Sequence, residues 1–145
     1  MNWNSISDEE RLRLWKKLRT DIKDIPLEEQ LKEIAKFSAG LPFGSRTLDY
    51  YESQDWPTPW EILYHGHFCK SSISLLIFHT LSLIDVNVSI ELELIEDDGD
   101  IYLIPVVDDQ YVLNYHLGEV AYYSDVASEF STKKVFKQEQ IKKIL

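Results

Sequence analysis

Between Lys70 and Lys133 the chain has no lysine or arginine, and the same stretch holds twelve acids, from Asp85 to Glu129. The rest of the sequence carries 15 bases against 13 acids, so the net charge of -10 belongs to the middle of the chain. Such a balance argues against a nucleic-acid backbone or an anionic membrane as the main partner, since both are polyanions. Cysteine is nearly absent as well. Cys69 stands alone, so no internal disulfide can form and a reducing compartment is expected. Long apolar runs are missing too: Ile73 to Ile84 spans 12 residues and includes Ser74, His79, Thr80 and Ser82, too short and too polar for a membrane span. The opening residues, MNWNSISDEERLRLWKK, lack the apolar run of a signal peptide, which makes the cytoplasm the expected location. Five glycines and five prolines exclude collagen-like and low-complexity classes, no repeat is visible, and 145 residues suffice for one core.

Helical signals come first along the chain. Ser7 and Glu10 have the spacing of a capping box, and Trp15, Leu18 and Ile22 follow at helical intervals. Pro26 suits the first turn of a second helix with a Leu27, Leu31, Ile34 and Ala35 stripe, stopped by Gly40 and Pro42. The segment from Leu41 to Pro57 reads as a packed aromatic loop. Thr58, Pro59 and Glu61 start a short helix that Gly66 ends, and Cys69 opens an apolar helix expected at the centre of the domain. Val88 to Leu94 then alternates apolar and polar residues, with Ser89, Glu91 and Glu93 assigned to a wet face. Turns at Asp97–Asp100, Asp108–Asp109 and Leu117–Glu119 separate further strands at 101–107, 111–116 and 120–123. Links this short require antiparallel neighbours. The expected fold is therefore α+β: N-terminal helices and a central buried helix on one face of an antiparallel β-meander. It forms a single domain, 1–145, with a helical hairpin at 1–40, a core at 56–124 and a basic C-terminal element at 125–145.

Candidate chemistry centres on Cys69, because backbone N–H groups and the helix dipole at a helix N-terminus favour a thiolate. His65 and His67 flank Gly66 just upstream, and His79 falls inside the apolar helix, where a packed core histidine is expected. His65, His67 and Cys69 offer zinc-type donors without a second cluster, and Asp97, Asp98 and Asp100 lack the length and closing glutamate of an EF-hand loop, so no metal or cofactor is assigned. Nucleotide-binding and serine-hydrolase motifs are missing.

The run Trp56-Pro57-Thr58-Pro59-Trp60-Glu61-Ile62-Leu63, then Gly66 and Cys69, resembles the transglutaminase-like and bacterial transglutaminase-like cysteine peptidase superfamily. Val107 to Asn114, followed by Leu117 to Val120, is similar to the family's hairpin that ends on the third catalytic residue. The resemblance covers roughly 56–124 and implies a papain-like or transglutaminase-like core with a Cys, His and Asp or Asn division of labour. It places Cys69 as nucleophile and Asn114 as the orienting group. The family's histidine would fall near Gly99, Asp100 or Ile101, and none of these is a histidine. With the register shifted by one hairpin, His116 would be the base and Asp125 the orienting group, because His116 lies two residues after Asn114 on an expected strand.

Two functions follow. In the first, the chain keeps this architecture without the chemistry and acts as a binding or assembly module, using its acidic sheet and the aromatic loop from Phe43 to Trp60, with Tyr50, Tyr51, Trp56 and Trp60 as contact residues. A protein partner, or a second copy of the chain, is then expected. The compact size, acidic balance and short motifs suit a phage accessory or virion protein, found in the host cytoplasm or the virion. In the second, Cys69 carries out acyl transfer as a peptidase, deamidase or transglutaminase.

Overall fold

Local signals set the helices. In the computed structural model, which describes residues 3–42, 48–66 and 68–141, α1 runs Asp8–Ile22 behind a Ser7 cap whose hydroxyl accepts the Glu10 N–H. Helix α2 runs Leu27–Ala39 and buries Leu31, Ile34 and Ala35. Helix α3, Pro59–His65, has the full Thr58–Glu61 capping box and ends at Gly66 in the left-handed region, with φ 67°. Helix α4, Lys70–Leu83, is buried from Ser71 to Leu81 and lies at the centre of the core. Phe43 and His67, singled out in the sequence, and the last four residues of the basic C-terminal element, 142–145, fall outside the described residues.

The sheet comprises β1 (Ile90–Asp97), β2 (Asp100–Val107), β3 (Tyr111–Leu113), β4 (Val120–Tyr122) and β5 (Ser131–Phe136), in the order β4-β3-β2-β1-β5, all neighbours antiparallel. A short α5, Tyr123–Val126, follows β4. Asp98 and Gly99, at φ 50° and 89°, close the two-residue turn between β1 and β2 with the positive dihedrals such hairpins need. In that register the backbone groups of Ile101, Leu103 and Pro105 point away from β1. Pro105 therefore gives up no ladder bond to β1, and β3 reaches β2 only at Val106 and Val107.

The C-terminal element contains a strand, β5, that pairs with β1 at one edge of the sheet. The structure corrects the expected sequence picture in two places. The face of β1 assigned to solvent is covered: Glu91 and Glu93 are buried, and Ile95, Tyr102, Ile104 and Val126 form a second small core on that side. Glu93 accepts hydrogen bonds from Tyr123 and Thr132, both at 2.9 Å, and Glu91 meets Lys137 Nζ at 2.7 Å. A buried carboxylate needs such partners. The third strand stops at Leu113, and Asn114 turns into the left-handed region with φ 61°. The two-residue alternation thus does not carry from Asn114 to His116.

Candidate functional site

Cys69 is positioned by the joint between α3 and α4. Arg11 secures the end of α3, its guanidinium donating to the Leu63 and Tyr64 carbonyls at 2.7 and 2.8 Å, and Gly66 passes directly beside that group. Phe68, fully buried, anchors the next residue but one. Cys69 then takes an extended backbone conformation and acts as the N-cap of α4: its Sγ accepts the Ser72 N–H at 3.3 Å and lies 3.1 Å from Ser72 Oγ. The residue is 9% exposed.

The first turn of α4 is stitched to the outward edge of β2 by hydroxyl groups, which explains the serines in an otherwise apolar helix. Leu103 N–H donates to Ser71 Oγ at 3.0 Å, and Ser74 Oγ donates to the Leu103 carbonyl at 2.6 Å. These two serines take the place of a neighbouring strand where β3 does not reach. Tyr50 hydroxyl lies 2.7 Å from Ser71 Oγ and donates to the Ile101 carbonyl at a longer 3.4 Å. Asn114 completes the lattice, its Nδ2 donating to the Lys70 carbonyl at 2.8 Å and to Ser74 Oγ at 2.9 Å.

A cleft of about 340 Å³ opens over Cys69, walled by Tyr50, Lys70, Ile101 and Tyr102 and edged by Asp97 and Asp100. Lys70 lies along the wall with its ammonium 4.0 Å from the Tyr102 ring centroid, and it donates to the Tyr115 carbonyl at 3.2 Å. Burial pulls the Lys70 pKa down, while Asp97 and Asp100 oppose that shift. Tyr102 hydroxyl donates to Asp97 Oδ2 at 3.1 Å, and burial followed by the Asp97 carboxylate pushes its pKa up. Burial also raises the Tyr50 pKa. Leu103 packs in the helix-side core, so the two-residue period of β2 puts the Ile101 side chain on that same face, towards Cys69.

The residues expected to form a triad are thus brought together only in part. Asn114 reaches the helix that carries Cys69 through Lys70, the next residue. His116 is exposed, with its ring 4.8 Å from that of Tyr115, and Asp125 is exposed on α5. Among the described residues no imidazole lines the cleft, and no hydrogen bond or ion pair joins Cys69, His116 and Asp125. His65 stacks edge-on against Tyr64, and His79 is buried in α4, where desolvation lowers its pKa to about 4. No three His, Cys, Asp or Glu side chains among the described residues converge as metal ligands.

The four aromatic contact residues separate as well. Tyr50 lines the cleft and Tyr51 is 84% exposed next to it in sequence, whereas Trp60 is less exposed, at 38%, with its ring 5.6 Å from Trp15. Trp56 belongs to the core: it packs on Phe136 at 4.9 Å and its indole N–H donates to the Asp49 carbonyl at 2.8 Å. Sequence reasoning missed Lys70, Ser71, Ser74 and Tyr102 as parts of the site. The visible signal was the run of hydroxyl residues in the first turn of an apolar helix.

No family model matches the chain, and no curated protein matches it. Solved structures do. Legionella pneumophila LapG superposes with a TM-score of 0.71 at 13% identity, covering 94% of this chain and 84% of LapG. An EGTA-treated form of LapG gives 0.74 at 14% identity, covering 94% and 78%, and a calcium-bound form gives 0.65 at 13%, covering 95% and 91%. The likeness at these identities is one of fold: helices against a five-stranded antiparallel sheet, an α+β architecture shared with LapG.

Proposed function

We propose that this chain is a transglutaminase-like fold protein without acyl-transfer activity, acting as a protein-binding or assembly module through the cleft over Cys69. One observation carries the reading: Ile101 lines the same cleft as Cys69, and the described walls of the cleft hold carboxylates, tyrosines and one lysine but no imidazole. A thiol attacking an amide needs a base to take and return a proton. The Cys69 sulfur instead serves the helix end as a capping group. A phage accessory or virion setting suits such a compact, acidic module.

The alternative is a working cysteine enzyme, and the position of Cys69 at the N-terminus of α4, open to a cleft, favours it. LapG is a transglutaminase-like cysteine protease, and in this second reading the chain would share that class of chemistry, with His116 moving in as base and Asn114 or Asp125 orienting it. Iodoacetamide labelling of the native protein separates the two. The binding reading predicts that Cys69 labels at pH 7 no faster than the free thiol of glutathione. Faster labelling that disappears in His116→Ala would support the enzyme.

A further inference from the structure

The cleft has a backbone edge as well as charge. Along the outward side of β2, Val107 is paired by β3, Pro105 has no N–H, and Leu103 is covered by Ser71 and Ser74. At Ile101 the carbonyl has the long contact to Tyr50, and its N–H points the same way, into the cleft. A strand edge presented inside a cavity can add an extended peptide.

The surrounding charge selects the side chain. Lys133 and Lys137 are paired to Glu96 and Glu91 at 2.8 and 2.7 Å, which neutralises the neighbouring stretch of β1. Asp97 and Asp100 at the rim have no such ion pair among the described residues, and Lys70, the one base among the described lining residues, is held against Tyr102 and Tyr115. The Ile101 side chain, 47% exposed, and the Tyr50 and Tyr102 rings supply an apolar wall for an alkyl stem whose charged end reaches the rim. A volume of about 340 Å³ suits one or two side chains rather than a large cofactor.

We infer that the Cys69 cleft docks an extended basic segment of a partner protein, its main chain pairing with β2 at Ile101 and one arginine or lysine entering between Asp97 and Asp100. This rests on the binding reading above and specifies its partner.

The probe is the peptide acetyl-Thr-Val-Arg-Val-Thr-amide, compared with its Glu-for-Arg counterpart, titrated into the full chain and followed by amide chemical shifts. The Arg peptide should move the amides of 99–102 and 69–71, and the Glu peptide should not. Asp100→Asn, an exposed turn substitution, should weaken the Arg peptide about fivefold, as should raised salt. Equal binding of the Glu peptide, shifts confined to other surfaces, or no binding would overturn the inference. The peptides are weighed afterwards by mass spectrometry. A cleaved or modified Arg peptide would overturn the non-catalytic reading while leaving the docking geometry intact; an intact peptide that fails to bind would overturn the docking geometry alone.

Discussion

Asn114 Nδ2 donates to the Lys70 carbonyl oxygen at 2.8 Å, tying the turn after β3 to the residue beside Cys69. The same amide nitrogen reaches Ser74, which in turn holds Leu103 on β2. A hairpin end, a helix N-terminus and a sheet edge are thereby tied to one another on that side of the cleft.

Asn114→Asp tests this tie. The carboxylate keeps the shape but removes both donors and sets a charge against the Lys70 carbonyl in a buried position. A loss of about 2 kcal/mol in urea unfolding is expected. A change below about 0.5 kcal/mol, the range of ordinary surface substitutions, would contradict the tie.

Trp56 and Tyr51 should respond oppositely to truncation. Trp56→Ala empties a core position against Phe136 and should cost about 3–5 kcal/mol, whereas Tyr51→Ala should stay within about 0.5 kcal/mol. Thermal or urea unfolding of the two variants gives the comparison, and similar losses would contradict the assignment of Trp56 to the core.

His79 predicts a pH dependence. Burial lowers its folded pKa to about 4, so between the unfolded value near 6.5 and that point the unfolded chain binds the proton and the native chain does not. Stability therefore falls as the pH drops from about 6.5 to about 4, by up to about 3 kcal/mol from this residue. His79→Met should make that part of the stability curve shallower. An unchanged slope would mean that the imidazole is already protonated in the fold.

Ile101→His tests the strand position that lines the cleft beside Cys69. The substitution sets an imidazole on the β2 face that looks towards Cys69, and Cys69 should then label with iodoacetamide at pH 7 about tenfold faster or more. A folded variant with unchanged labelling would show that this side chain does not reach the sulfur.

How much of this was legible in the sequence depended on the range of the interactions. The Ser7–Glu10 and Thr58–Glu61 caps, the stop at Gly66 and the placement of Cys69 at a helix start are set within a few residues and read directly from spacing. The turn at Asp98–Gly99 fixed the first hairpin in the same way. Partners distant in sequence were not visible. Glu91 and Glu93 look solvated until β5 and Tyr123, some 30 residues on, cover them. Trp56 resembles an exposed loop aromatic until Phe136 packs against it. The cleft was half legible: Cys69 and Asn114 were singled out, but the serine stitching requires knowing that β3 ends short of Leu103, which no local pattern shows.

The proposed binding role requires that the cleft dock its partner without reacting with it. The direct measurement is intact-mass spectrometry of the protein and of the Arg peptide after prolonged incubation together, run beside Cys69→Ala. Unchanged masses for both partners and the same peptide affinity in Cys69→Ala are expected. An acyl adduct on Cys69, or a shortened or deamidated peptide that depends on Cys69, would contradict that role.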